Sequence, residues 1–145
     1  MRVSGKNTPA DARLKRACQL AQADEGIAIL WLYGSRARGD ARPDSDYDFA
    51  VAFNDFLTSD PLEARLRPEL LALEWQNALA LPEGALSVID INRVPIPLAW
   101  NVIQEGSLLF CRDERRLIQE EQRIWSRMEL DILPALRQRA GGRRS

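Results

Sequence analysis

The chain has 145 residues, a formal net charge of −1, 46% hydrophobic residues and 28% charged residues, which predicts one soluble globular domain. So small a net charge gives no overall field that would favour nucleic acid or an anionic membrane. The sequence contains no histidine. This excludes mechanisms that need a Ser-His pair, a Cys-His pair or a histidine-bound metal, so any acid–base or metal chemistry must depend on carboxylates.

The predicted elements follow the order helix, strand, strand, helix, strand, helix, strand, helix. The first helix is expected to begin with Thr8 as N-cap and Pro9 in its first turn, and to end before Gly26. The unbroken apolar run at 27–33 is typical of a central strand covered on both faces. A short helix is expected to open at Ser35 and to close at Gly39.

The later elements are predicted from apolar periodicity and from Gly and Pro boundaries. Strands are expected at 46–53, 85–91 and 107–111, and helices at 60–81, with an interruption at Pro68, at 95–105 and at 113–133. A basic tail follows at 134–145. The fold class is therefore α/β (α+β), with a small mixed sheet of about four strands flanked by helices.

The two cysteines, Cys18 and Cys111, have no metal-ligand spacing, and we expect two reduced thiols. No stretch approaches the roughly 18 consecutive apolar residues of a membrane span, and the first residues lack the apolar segment of a signal peptide. These features predict a cytoplasmic protein without membrane contact.

Two carboxylates stand at the start of the second predicted strand. Asp46 and Asp48 are separated by one residue, so on a strand their side chains point to the same face. Two neighbouring anions repel each other unless a cation lies between them. Oxygen ligands together with phosphates favour Mg²⁺. Asp90, near the end of an apolar strand, is the candidate third carboxylate, and we expect all three at one edge of the sheet if the two strands are neighbours.

A Gly-Ser turn follows the central strand. Gly34 would let the backbone approach a ligand closely. A helix opening at Ser35 would direct its first N–H groups at an anion, and Arg36 and Arg38 lie near the same turn. The expectation is a triphosphate on this turn, bridged by metal ions to the aspartates.

Each of these features has a plainer explanation when it is taken alone. An Asp-x-Asp pair is commonly a solvated strand start, and Asp90 could simply accept hydrogen bonds from backbone amides. Arg36 and Arg38 could be ordinary surface charges. The combination, in this order and between apolar strands, is much more specific.

Gly34, Ser35, Asp46 and Asp48 form the pattern G-S-x10-D-x-D. This pattern resembles the signature of the DNA polymerase β-like nucleotidyltransferase superfamily. The longer string YGSRARGDARPDSDYDFAV is similar to the minimal nucleotidyltransferases (MNT), including antitoxins paired with HEPN-domain toxins. The resemblance covers a core at roughly 25–112 and implies that residues 1–145 form a single domain with the nucleotidyltransferase fold.

The resemblance implies transfer of AMP from ATP, with two Mg²⁺ ions as cofactors. It assigns nucleotide binding to Gly34, Ser35, Arg36 and Arg38. It assigns metal binding and catalysis to Asp46, Asp48 and Asp90, the last helping to deprotonate the acceptor. In the toxin-linked branch the acceptor is a tyrosine of the HEPN ribonuclease toxin. From this resemblance we expect an adenylyltransferase antitoxin that forms a hetero-oligomer with its toxin and does not bind nucleic acid directly.

Two alternatives stay open at this point. One is a small-molecule nucleotidyltransferase of the aminoglycoside type, although such enzymes usually carry a further helical domain for the acceptor. The other is a non-catalytic antitoxin that acts by binding alone. In both antitoxin alternatives we expect the helix at 113–133 to dock the partner, through an apolar stripe and an arginine face. The residues concerned are Leu117, Ile124, Trp125 and Met128, and Arg115, Arg116, Arg123 and Arg127. The plainer explanation is that the stripe packs on the sheet and that the arginines are solvated or paired with Glu114, Glu120 and Glu121.

Overall fold

The computed structural model describes residues 11–54 and 60–142. Four strands are present in this part of the chain: β1 Ile27–Tyr33, β2 Tyr47–Phe53, β3 Leu86–Asp90 and β4 Ser107–Cys111. The α-helices of the same ranges are α1 Ala12–Ala23, α2 Ser35–Arg38, α3 Pro61–Ala78, α4 Ile96–Glu105, α5 Glu114–Arg127 and α6 Leu133–Gly142. A π-helical turn, Met128–Ile132, joins α5 to α6.

The strands form one mixed sheet in the order β3-β2-β1-β4. Strand β1 pairs antiparallel with both β2 and β4, whereas β2 and β3 are parallel. The predicted four-stranded mixed sheet is therefore confirmed. The apolar run from Ile27 to Leu32 is buried throughout, as expected for a central strand with helices on both faces.

Helices cover both faces of the sheet, and each face has its own core. On one face α1 and α3 pack against alternate residues of β1 and β2, with the Phe49 and Trp75 rings in edge-to-face contact at 5.5 Å. On the other face α4 and α5 pack over Trp31 and Ala50. Because side chains alternate along a strand, Asp48 belongs to the face of Ala50.

The ends of two predicted elements move by a few residues. Helix α1 begins at Ala12, and its N-cap is Asp11, which accepts a 2.7 Å hydrogen bond from the Arg13 N–H. The expected cap at Thr8 and Pro9 lies outside the described residues. Strand β2 begins at Tyr47, so Asp46 directly precedes it rather than opening it.

The sequence predicts a kink or a restart of the helix at Pro68, and a kink or an end of the last helix at Pro134. Helix α3 continues through Pro68, which is buried, and the core contacts of Leu71 and Trp75 hold the helix on the sheet. Such packing compensates for the one backbone hydrogen bond that proline cannot donate. Near Pro134, α5 ends at Arg127, the π-helical turn follows, and the backbone continues as α6, with Pro134 in its first turn.

Cys18 and Cys111 form no disulfide, as expected for reduced thiols, and both are half-buried. Within residues 11–54 and 60–142, no helix combines the length and apolar character that crossing a membrane requires.

Candidate functional site

The chain leaves the core at a turn that only glycine fits. Gly34 has φ +74° and ψ −157°, a region that is essentially closed to other residues. Its carbonyl accepts the N–H groups of Ala37 and Arg38, both at 3.1 Å, and this closes the single turn of α2. The first N–H groups of a helix have no carbonyl partner within the helix, so those of Ser35 and Arg36 are left without an acceptor inside α2.

Asp48 lies directly against this turn. It pairs with Tyr33 of β1 on one side and with Ser87 of β3 on the other. A Cβ placed on Gly34 would collide with an Asp48 carboxylate oxygen. The predicted association of the Gly-Ser turn with this carboxylate is therefore present as a packing contact.

Asp46 lies on the same side of the sheet as Asp48. The two flank Tyr47, whose ring is buried in the α1/α3 core and whose hydroxyl donates a 2.6 Å hydrogen bond to Asp11. Alternation along the extended backbone directs both aspartates away from that core. Asp46 is exposed and Asp48 is half-buried, so both can reach a solvent-borne cation.

Asp90 does not join them, and the expectation that three carboxylates share one edge is wrong. Strands β2 and β3 are parallel, and Asp90 pairs with Val51 at the far end of β2, while Ser87 pairs with Asp48. Asp90 therefore lies about 10 Å further along the strand and on the opposite face of the sheet. Within the described ranges, no three Asp, Glu, Cys or His side chains are grouped so that they could hold a metal ion.

The surroundings of Asp90 fit the plainer explanation. Its carboxylate accepts a 2.9 Å hydrogen bond from the Asn92 N–H, and its carbonyl accepts those of Arg93 and Val94. Burial raises the pKa of Asp90, although the Asn92 hydrogen bond and nearby arginines oppose the rise. Asp90 thus organises the turn between β3 and α4.

The two arginines of the turn have different roles. Arg36 donates hydrogen bonds to the carbonyls of Ser45, at 2.7 and 3.1 Å, and of Pro43, at 3.2 Å. Its guanidinium also lies 3.9 Å from the centre of the Tyr47 ring. Arg36 is therefore engaged in holding the loop that leads into Asp46, whereas its predicted role was to bind nucleotide.

Arg38 is exposed, and its partners are two surface carboxylates. Its guanidinium lies 3.5 Å from Asp40 and 3.9 Å from Glu105. Solvent-exposed pairs of this kind contribute little to stability. Of the two arginines predicted to bind nucleotide, Arg38 is thus the one that an incoming phosphate can recruit at small cost.

Two site residues were not predicted from the sequence, Ser87 and Tyr33. The Ser87 hydroxyl donates a 2.8 Å hydrogen bond to Asp48 Oδ1. Burial raises the pKa of the Tyr33 hydroxyl and the Asp48 carboxylate raises it further, while a hydrogen bond with Ser87 opposes both. The pairing of β2 with β3 reveals Ser87, and the pairing of β2 with β1 reveals Tyr33.

The predicted docking face of the C-terminal helix is largely internal. Leu117, Ile124 and Met128 are buried in the core. Glu120, only 5% exposed, accepts hydrogen bonds from Arg116 at 2.8 Å and from Arg123 at 2.9 and 3.0 Å.

Asn92 also donates to both oxygens of the Glu120 carboxylate, at 2.9 and 3.0 Å. Burial alone would raise the pKa of Glu120, but the hydrogen bonds from Asn92 and the two arginines lower it below its usual range. Arg116 and Arg123 are thus structural. Of the predicted docking residues, Trp125, Arg115 and Arg127 remain exposed, and the Trp125 ring lies 4.9 Å from that of Trp100. The apolar residues Ile118, Leu130, Leu133 and Leu136 are exposed as well.

Comparisons with known proteins agree with this geometry. The chain is 24% identical over 103 residues to the protein adenylyltransferase MntA of Aphanizomenon flos-aquae. The match covers 68% of this chain and 66% of that relative, just under two thirds of its length.

Solved structures share the fold at low sequence identity. One is a complex of the tri-AMPylated HEPN toxin of Shewanella oneidensis with its MNT antitoxin. Its match has a TM-score of 0.63 and 19% identity, and covers 88% of this chain and 92% of that chain. Another is a toxin–antitoxin complex with AMP-PNP, with a TM-score of 0.57, 20% identity, and coverage of 87% and 99%.

The family model described as "Polymerase beta, Nucleotidyltransferase" matches residues 15–115. The matched range includes the Gly34 turn, both site aspartates and all four strands of the described sheet. The protein therefore belongs to the polymerase β nucleotidyltransferase family.

Proposed function

We propose that the protein is an antitoxin that transfers AMP from ATP to a tyrosine hydroxyl of a cognate HEPN ribonuclease toxin. The observation that carries this proposal is the contact of the Gly34 turn with the Asp48 carboxylate, beside Asp46. It is supported by family membership, by similarity to a protein adenylyltransferase and by the shared fold with antitoxins solved in complex with HEPN toxins. A reaction that consumes ATP agrees with the cytoplasmic location expected from the sequence.

The donor set at the site suits magnesium. Mg²⁺ is usually held by one or two carboxylates together with substrate phosphates, and Asp46 and Asp48 supply two carboxylates on one side of the sheet. When bound there, the ion would neutralise charge on the triphosphate and on the departing pyrophosphate.

The residues of the turn would hold and orient the nucleotide. Gly34 would let the backbone come close to the phosphates, and the N–H groups of Ser35 and Arg36, which have no acceptor within α2, would serve as donors. The Ser35 hydroxyl adds a further donor, and Arg38 supplies a mobile positive charge. Holding the α-phosphate in a fixed orientation toward the acceptor is a large part of what such a site contributes to the rate.

A binding-only antitoxin is the second candidate. It is favoured by one observation, the placement of Asp90 away from Asp46 and Asp48. Without a third carboxylate, the described residues offer no anionic base beside the two metal-binding aspartates. The small-molecule alternative gains no comparable support.

The test begins with a search of the genes adjacent to this one for a HEPN protein. That protein is co-expressed with this chain, and its intact mass is then measured. An increase by one or more AMP units, together with loss of its ribonuclease activity, is the expected result. A toxin that is neutralised with unchanged mass would select the binding-only candidate. A toxin that is neither modified nor neutralised would overturn both.

A further inference from the structure

Ser87 occupies a distinctive place in the site. It is the residue of β3 that pairs with Asp48 in the parallel register, so their side chains point to the same face of neighbouring strands, about 4.8 Å apart at the backbone. Ser87 is exposed, and its hydroxyl already donates a 2.8 Å hydrogen bond to Asp48 Oδ1. A carboxylate at this position would stand beside Asp46 and Asp48.

We propose that Ser87 occupies the position of a third metal ligand beside Asp46 and Asp48. As a result, the protein binds one divalent ion tightly with the nucleotide and a second only weakly. This inference rests on the proposed function, which identifies the site as one that binds a nucleotide. Ser87 brings no negative charge, whereas a second divalent ion close to the first requires further anionic ligands to offset their mutual repulsion. Tyr33, the other hydroxyl beside Asp48, is equally uncharged at neutral pH.

The proposal also gives Ser87 a positioning role. Its hydroxyl holds one oxygen of Asp48, and the Gly34 turn packs against the other. The carboxylate is thereby fixed from two sides while Asp46 stays exposed. Position 87 therefore supplies no carboxylate for the deprotonation of an acceptor hydroxyl.

The experiment counts Mn²⁺ ions bound to the purified protein with the non-hydrolysable ATP analogue AMP-PNP. Free Mn²⁺ is measured by electron paramagnetic resonance, against AMP-PNP alone. We expect one tight ion in the wild type and in Ser87→Asn. In Ser87→Asp we expect a second ion bound at least about tenfold more tightly than in the wild type, since added ligand charge strengthens divalent binding.

The wild-type count alone can decide against the proposal. Two ions of comparable affinity in the wild type would overturn it, even if Ser87→Asp failed to fold. A folded Ser87→Asp with no gain in the second ion would also overturn it. A third variant, Asp90→Asn, is expected to leave the number of bound ions unchanged. Loss of an ion in this variant would show that Asp90 is the third metal ligand and would overturn the proposal.

A thermal measurement provides a readout independent of any transfer activity. Ser87→Asp places a third anion beside two others, so its melting temperature without metal should fall below that of Ser87→Asn. Mn²⁺ should then restore it. No HEPN protein is needed for either experiment, so failure to transfer AMP to a toxin would leave the ion count intact, and the two proposals can fail separately.

Discussion

Gly34 and Asp48, fourteen positions apart in the sequence, touch so closely that any side chain at position 34 would displace the carboxylate. Gly34→Ala should therefore abolish nucleotide binding. Its backbone conformation should add a destabilisation of about 1–3 kcal/mol. Calorimetric titration with Mg²⁺ and AMP-PNP, with thermal unfolding in parallel, measures both effects.

The matched control is Gly84→Ala. Gly84 also has a positive φ, of +79°, but an added Cβ there meets no atom within 4 Å. This variant should lose stability and keep nucleotide affinity. If Gly34→Ala retained wild-type affinity, the triphosphate would not rest on this turn.

Neutralising either aspartate should remove metal-dependent nucleotide binding and leave the fold intact. Asp46→Asn and Asp48→Asn remove a ligand charge, and without metal they also relieve repulsion between the two carboxylates. We expect melting temperatures equal to or slightly above the wild type. Asp44→Asn, an exposed aspartate of the same loop, is the control and should bind normally. Near-normal AMP transfer by either site variant would refute the metal assignment.

Asp90→Asn is expected to keep both nucleotide binding and transfer. The raised pKa means that the folded state favours the protonated carboxyl. Its contribution to stability is therefore greatest below the unfolded value near 3.8 and is lost as pH rises through the folded pKa. The asparagine variant lacks this dependence and should be at least as stable as the wild type at pH 7. Urea unfolding across pH 3–7 is the measurement, and a strongly destabilised variant would contradict it.

Glu120→Gln should be among the most destabilising conservative changes in the chain. It leaves Arg116 and Arg123 in a half-buried position without their shared anion, at a cost of roughly 3 kcal/mol. The lowered pKa of Glu120 gives the opposite pH behaviour to Asp90. Its contribution is present above about 4.5 and is lost as pH falls through the folded value. Denaturant unfolding is compared with Glu74→Gln, an exposed control on α3, and equal midpoints for the two variants would disprove the role of Glu120.

Docking of the partner should depend on the exposed apolar surface at the end of the chain. Leu130 and Leu136 are 74% and 53% exposed, so Leu130→Glu with Leu136→Glu should weaken HEPN binding without unfolding the protein. Charge reversal at Arg123 would instead damage the Glu120 network. The control is the same double change on α3, at Leu62 and Leu70, which are 63% and 58% exposed. If only the α3 variant lost the partner in a pull-down, the docking surface would be on α3.

The parts of the site that the sequence could reveal are those joined by one short connection. Gly34, Ser35, Asp46 and Asp48 flank a single loop, and their spacing alone indicated a strand, a tight turn and a returning strand. The position of Asp90 depended on the direction in which β3 pairs with β2. The apolar pattern of a strand is the same whether it pairs parallel or antiparallel with its neighbour. Periodicity therefore could not show that Asp90 lies at the end of β3 remote from Asp48.

Tertiary structure also determines the contacts of the arginines. The sequence favoured nucleotide binding for Arg36 and partner docking for Arg123, with surface charge as the plainer explanation. Their partners, the Ser45 carbonyl and Glu120 together with the Ile91 carbonyl, are set by loop closure and tertiary packing. Pro68 likewise lies inside a helix because core packing holds that helix on the sheet, although proline is locally unfavourable there.

The sheet order has a further consequence for how the site opens. Among the strands of residues 11–54 and 60–142, β1 and β2 have neighbours on both sides, whereas β3 has a strand on one side only. Amide hydrogens of the inner strands should therefore exchange with solvent most slowly, and those of the edge strand should exchange through smaller local openings. Asp48 would then stay in place during fluctuations that carry Ser87 away from it, so the carboxylate pair and its serine neighbour belong to regions of different local stability.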